Sequence, residues 1–125
     1  MEIERLTTGT DGLRRPQVVV ASSAGALSEA TGVSVPDSGE GTYLAAFWGE
    51  QPTGGYTVEI LSARTEEDRI VVRLALGRPS PDAMVSQALT YPYAVAALRE
   101  EVPEDRDFVL VTKAGGVLDW PVRRL

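Results

Sequence analysis

Acidic side chains are the first candidates for chemistry in this sequence, and they form two clusters. One cluster is Glu66, Glu67 and Asp68; the other holds Glu100, Glu101, Glu104 and Asp105. Paired carboxylates can serve as the acid and the base of a hydrolytic reaction. Both clusters fall in predicted surface turns, however, where solvated acids normally lie. A small carboxylate-based enzyme or ligand-binding domain, with Glu50 or Asp37 at its site, therefore stays an alternative.

Cysteine and histidine are both absent, which restricts the available chemistry most strongly. The chain can form no disulfide, no zinc–thiolate site and no Ser-His-Asp or Cys-His centre of its own. The segment Asp37-Ser38-Gly39-Glu40 lacks the alternating acids of a calcium loop, which favours an Asx turn. Ser22-Ser23 lacks the lysine and glycine spacing of a phosphate loop, which favours ordinary helix capping. We predict no catalytic residue, no cofactor and no metal.

The overall charge is acidic, with a net charge of −6 and a pI of about 4.6. This argues against a nucleic-acid partner, whose phosphates require a basic surface. No apolar run approaches the roughly 20 residues of a membrane-spanning helix. The start, Met1 to Arg5, has no signal-peptide pattern, which predicts a cytoplasmic protein as written, or an exported one if a leader was removed. The absence of Cys and Asn favours a thermostable protein.

Apolar and polar residues alternate along most of the chain, which predicts a mainly β (α+β) fold. We expect one domain over residues 1–125: an antiparallel sheet folded as a sandwich or partial barrel. One short helix is predicted near residues 23–31. The 85–90 and 93–99 strands bend at Pro92, which predicts an edge position, and a C-terminal hairpin is predicted over 107–125. The predicted strands are 2–8, 17–21, 42–48, 56–63, 69–76, 85–90, 93–99, 108–113 and 117–122.

The turn between strands 42–48 and 56–63 is the best candidate for a binding site. Its glycines and proline are typical of a turn that requires positive φ or a close approach. Trp48 and Trp120 border turns or a proline, so we expect both to be exposed, and exposed aromatic side chains anchor protein partners. A purely structural role for the turn, with Tyr56 in the core, is the alternative. The predicted partner-binding residues are Trp48, Gln51, Pro52, Thr53, Gly54, Gly55 and Tyr56.

The segment from Leu44 to Ile60, with Pro52-Thr53-Gly54-Gly55-Tyr56 at its centre, resembles the PrcB family, the C-terminal domain of protease complex subunit PrcB proteins. The segment Gln87-Ala88-Leu89-Thr90-Tyr91-Pro92-Tyr93-Ala94-Val95 resembles the second signature of that family. The resemblance covers roughly residues 17–98. It implies a small, non-catalytic subunit that associates with a secreted protease and helps its complex to form.

A looser similarity links the same turn to the chagasin-type cysteine protease inhibitors. Those proteins present a Pro-Thr-Thr-Gly-aromatic loop on a β-sandwich, with an Arg-Pro loop nearby. Here Pro52 to Tyr56 and Arg78-Pro79 are similar in kind, but Ser80 replaces the tryptophan of the inhibitors. The resemblances favour a non-enzymatic module that binds a protein, such as a protease or its assembly partner. The alternative is a structural or assembly domain that forms a homodimer through the last hairpin.

Overall fold

The computed structural model describes residues 1–125, which form nine strands and one helix. The helix, α1, spans Ala24–Thr31. The strands are β1 (Ile3–Gly9), β2 (Gln17–Ala21), β3 (Thr42–Phe47), β4 (Thr57–Glu66), β5 (Arg69–Gly77), β6 (Tyr93–Leu98), β7 (Asp107–Thr112), β8 (Val117–Leu118) and β9 (Val122–Arg124). This confirms the mainly β prediction with one short helix.

The strands form two sheets that pack together as a sandwich, with no closed barrel. The first sheet has the order β1-β6-β3-β2-β9 and the second the order β4-β5-β7-β8. Most neighbouring pairs are antiparallel, as predicted, but β2 pairs with β9 and β5 pairs with β7 in parallel. Both sheets are therefore mixed.

The central strands of the first sheet, β2, β3 and β6, are buried on both faces, because their side chains alternate between two separate cores. On β3, Leu44 and Ala46 point to the second sheet, whereas Tyr43 and Ala45 point away from it. The outward core is closed by α1, whose Leu27 is fully buried. Ser23 caps this helix as predicted, since its Oγ accepts a hydrogen bond from the Ala26 N–H at 3.1 Å.

The hairpin of β4 and β5 matches the predicted alternation closely. Val58 and Ile60 of β4 are buried, and Thr57 and Glu59 between them are exposed. The register shifts at a bulge between Ile60 and Ser62, and the hairpin closes at Glu67, whose φ is +56°. A half-buried antiparallel strand produces this pattern, because successive side chains face opposite sides of the sheet.

Two predicted features of the C-terminal half are wrong. Residues 85–90 form no strand, since their main-chain groups bond to the turn before β4 and not to a neighbouring strand. β6 lies inside the first sheet between β1 and β3, not at an edge, because Pro92 precedes the strand and leaves its N–H groups intact.

The predicted final hairpin forms between β7 and β8, which pair antiparallel, but it is shorter than predicted because its last residues join the first sheet. β8 follows β7 in the second sheet, but the chain then crosses to the first sheet as β9. Pro121 lies at the crossing, where its carbonyl accepts a hydrogen bond from the Val18 N–H at 2.9 Å. A proline cannot donate to a sheet, so it ends one pairing while its carbonyl begins the next. The single helix, α1, is too short to cross a membrane.

Candidate functional site

The turn formed by residues 49–56 carries the chain from the first sheet to the second. β3 enters it and β4 leaves it, and these two strands belong to different sheets. The turn is therefore a crossover at one end of the sandwich and not a hairpin between paired strands. Its conformation must be held by other segments, because no ladder of β3–β4 hydrogen bonds supports it.

Two glycines of the turn are required by its geometry. Gly49 has φ +86° and Gly55 has φ +90°, where residues with a side chain are strained. A Cβ atom at Gly49 would lie 2.7 Å from Pro16 Cδ, and one at Gly55 would lie 2.8 Å from Pro79 Cβ. Gly54 has no positive φ, and its nearest contact would be Ser86 Cβ at 3.3 Å. The structural explanation of the glycines therefore holds for Gly55 more strongly than for Gly54.

The loop of residues 78–90, between β5 and β6, holds the turn in place. Gln51 and Thr90 exchange two main-chain hydrogen bonds, of 2.8 and 3.0 Å. The Gly54 N–H donates to the Ser86 carbonyl at 2.9 Å, and the Thr90 hydroxyl donates to the Thr53 carbonyl at 2.7 Å. The two stretches thus form one unit, which we call the docking end: turn 49–56 together with loop 78–90.

Trp48 is buried, with 8% of its surface exposed, so its predicted exposure is wrong. The alternation of β3 continues past its last residue and places Trp48 with Leu44 and Ala46 in the core between the sheets. The Trp48 ring meets that of Tyr56 edge-on, with centroids 5.5 Å apart, and the Arg78 guanidinium lies 5.1 Å from the Trp48 centroid. These contacts fix the base of the docking end.

The remaining predicted site residues lie at the surface to different extents. Pro52 and Gly55 are exposed, and the other four, Gln51, Thr53, Gly54 and Tyr56, are half-buried. Trp120 is half-buried against the core between the sheets, which also differs from the prediction of an exposed side chain. The turn thus presents Pro52 and its backbone to solvent, while its aromatic neighbours mainly support it.

The sequence patterns did not predict two exposed apolar side chains on loop 78–90. Met84 is fully exposed and Leu89 is 55% exposed. Leu89 falls within the predicted 85–90 strand, which would have paired it in a sheet, and Met84 lies just before that strand. The available signal was Pro79-Ser80-Pro81-Asp82, which is rich in turn formers and begins a loop that continues to Leu89.

The two acidic clusters do not converge with the docking end, whose own acids are Glu50, which accepts a hydrogen bond from the Tyr91 hydroxyl at 3.3 Å, and Asp82. Glu66, Glu67 and Asp68 lie around the β4–β5 turn, and no group of three or more acidic, histidine or cysteine side chains is placed to hold a metal ion. Asp37 accepts a hydrogen bond from the Gly39 N–H at 3.0 Å, which confirms the predicted Asx turn.

One cavity, of about 440 Å³, is lined by two carboxylates, those of Glu101 and Glu104. Both side chains are exposed, as is typical of solvated acids. The Arg124 guanidinium at this cavity donates to the carbonyls of Val102 and Pro103 and so closes the 100–106 loop onto β9. The arrangement explains the shape of the loop without a catalytic role.

A comparison with sequence families matches residues 42–99 to the family described as PrcB C-terminal. Over these residues the chain is similar to the PrcB C-terminal family, which supports the resemblance seen in the sequence. The PrcB match begins with β3 and ends just after β6, so it contains the whole docking end. β2 and α1, which the sequence resemblance included, precede the matched residues. No curated protein and no solved structure matches the chain.

Proposed function

We propose that this chain is a non-enzymatic protein-binding domain that contacts its partner through the docking end. The main support is that Met84 and Leu89 are exposed on a loop whose backbone is already hydrogen-bonded to the turn. Of the four large apolar side chains that the chain exposes, these two share one loop; the others are Val117 and Leu125. Paired exposed apolar side chains on a supported loop are typical of a protein-contact surface.

The loop loses little conformational freedom on binding, because four of its main-chain hydrogen bonds are made before a partner arrives. The Ser86 carbonyl and both main-chain groups of Thr90 are bonded to the turn, and the Ala83 N–H donates to the Ser80 carbonyl at 3.0 Å. Full burial of a methionine side chain contributes about 1.5–3 kcal/mol. Much of that free energy goes into affinity when the backbone needs no further ordering.

The partner that we propose is a protease or a protein that assembles with one. The support is the PrcB C-terminal match, because it covers both segments of the docking end. Under this proposal the turn that carries the family signature, residues 52–56, supports loop 78–90. The loop supplies the side chains that contact the partner. The turn then acts indirectly, as the support of the surface that binds.

The proposal is tested by affinity capture from an extract of the source organism, with mass spectrometry of the retained proteins. The bait variants are the wild type, the double variant Met84→Asp/Leu89→Asp, and Val117→Asp. Val117 is 74% exposed on β8, at the edge of the second sheet farthest from β4, so it is a matched control for a new surface charge. The wild type and the control are expected to retain the same specific protein, and the double variant to lose it.

Equal retention by the double variant, with all three baits unfolding at the same temperature, would overturn the proposed role of the docking end. Loss of capture by Val117→Asp alone would instead place the contact on β8 of the second sheet. That result would favour the alternative of a structural or assembly domain that associates through its last hairpin. Trp48→Ala is not a suitable bait, because removing a buried tryptophan disturbs the core.

A further inference from the structure

The sandwich has two long sheet edges, and they lie beside each other. The first sheet ends in β1 and β9, and the second ends in β4 and β8. β9 has three residues and β8 has two, whereas β1 has seven and β4 has ten. An edge strand carries unpaired N–H and C=O groups that can accept another strand, and short edges reduce this capacity. Only β1 and β4 therefore offer edges of useful length.

Arg5 closes one part of the gap between these edges. Its Nε donates to the Ile60 carbonyl at 2.8 Å, and its guanidinium also bonds to the Leu61 carbonyl at 3.1 Å. The same side chain lies 3.7 Å from Glu59. A side chain of β1 thus occupies carbonyls of β4 at the bulge, so that no strand can pair with β4 there.

Toward the docking end the two edges are open. A cavity of about 470 Å³ separates the end of β1 from the start of β4. Its walls carry no proline, and their only charged residues are Arg5 and Glu59. The other lining residues are Thr8, Gly9, Thr10, Tyr56, Thr57, Val58 and Tyr93. We call this cavity the β1–β4 groove. Charges and prolines commonly protect sheet edges, and the middle of the β1–β4 groove has neither; the bulge of β1 lies before it, between Arg5 and Thr7.

The floor of the groove is rigid. The Tyr93 ring lies over Gly9, where a Cβ atom would be 2.6 Å from the ring. Tyr93 is buried, and burial together with the negative charge of Asp11 raises the pKa of its phenol above the ordinary value of about 10. Asp11 follows Thr10 of the groove in the chain, is exposed and makes no ion pair, so its negative charge is uncompensated.

We infer that the β1–β4 groove receives an extended segment of a protein partner, which adds as a strand beside Thr8 and Gly9 and places a Lys or Arg near Asp11. Main-chain pairing with an exposed edge is a recurring mode of peptide recognition, in which neighbouring pockets supply specificity. This inference rests on the proposed function, since it names the form in which a partner binds beside the docking end. It adds a second contact, separate from Met84 and Leu89.

The probe is a phage-displayed library of random peptides, selected against the full chain. The strongest selected peptide is then titrated into the isotope-labelled chain and followed by NMR. Enrichment of peptides with a basic residue is expected, with amide shifts and slowed hydrogen exchange at residues 7–10 and 57–59. Thr8→Lys adds the charge that natural edges carry and is expected to weaken binding at least about tenfold. Thr65→Lys, at an exposed site near the far end of β4, is the matched control and is expected to leave binding unchanged.

Several results would overturn the inference. These are a library that yields no enriched peptide, a peptide that binds Thr8→Lys as tightly as the wild type, and a free chain that already pairs β1 with a second copy. A peptide whose shifts map to Met84 and Leu89 would also overturn strand addition, while the proposed docking end would stand. Conversely, binding at residues 7–10 that survives in Met84→Asp/Leu89→Asp would support the groove independently of the loop.

Discussion

Replacing Gly55 by alanine should destabilise the fold markedly, because this position combines strain with a clash. An alanine at φ +90° costs about 1–2 kcal/mol. Its Cβ would lie 2.8 Å from Pro79 Cβ and 2.9 Å from Val85 Cγ1, and forcing atoms into a packed site costs about 1–3 kcal/mol. Because these two neighbours can move together with the exposed loop, we expect a total loss of about 2–4 kcal/mol in the free energy of unfolding.

The assay is urea and thermal unfolding followed by circular dichroism. For 125 residues, each kcal/mol corresponds to roughly 4 °C, so the melting temperature should fall by roughly 8–16 °C. Gly25→Ala is the matched control, because that glycine lies inside α1 with nothing within 4 Å of its added Cβ. Alanine is the better helix former, so the control should gain up to about 1 kcal/mol. A Gly55→Ala protein as stable as the wild type would refute the view that loop 78–90 clamps the turn.

Three further variants test the contacts of the two cores. Trp48→Ala should cost about 3–5 kcal/mol in urea unfolding, because the ring is buried between the sheets; a loss below about 1 kcal/mol would contradict that placement. Tyr43→Phe should cost about 1–2 kcal/mol by the same measurement, since its hydroxyl donates to the Gly39 carbonyl at 2.6 Å; unchanged stability would show that this bond contributes nothing. The pKa of the Tyr93 phenol is raised, so the stability that this shift contributes is complete below pH 10 and is lost as the pH rises through the folded-state pKa. Above pH 9, the melting temperature of Tyr93→Phe should therefore fall less with increasing pH than that of the wild type. Equal falls in the two proteins would contradict this.

The local pattern of the sequence predicts the fold well where neighbouring segments pair. The β4–β5 hairpin follows directly from alternation, since its strands are joined by a short acidic turn. The β2 strand and α1 follow from a short β-branched run and a serine cap. Each of these elements is specified by residues close in sequence, which is why periodicity and turn chemistry suffice to find them.

The two parallel pairings could not be predicted in the same way. β9 joins β2 across about a hundred residues, and nothing in Val122–Arg124 identifies its partner. The pairing of β5 with β7 likewise depends on the 78–106 segment passing through the other sheet first. Local alternation predicts that a strand exists, but its neighbour is decided by the packing of the whole sandwich.

The candidate site shows the same division between local and distant information. Sequence patterns found the turn and its glycines, because positive φ at Gly49 and Gly55 is a local requirement. They misplaced Trp48, since one further residue of alternation decides whether it points to solvent or to the core. They missed the exposure of Leu89 because the hydrogen bonds that keep residues 85–90 out of a sheet come from the turn, more than 30 residues earlier in the chain.

The most direct test of the docking end is site-specific photo-cross-linking in the source organism. A photoreactive phenylalanine analogue is introduced at position 84 in one strain and at position 117 in another, both exposed sites that tolerate a larger side chain. We predict a discrete cross-linked protein from position 84 that is absent from position 117 and is lost when Leu89 is replaced by Asp. A discrete adduct from position 117 alone, or equal adducts from both positions, would contradict the central claim that the chain binds a protein through turn 49–56 and loop 78–90.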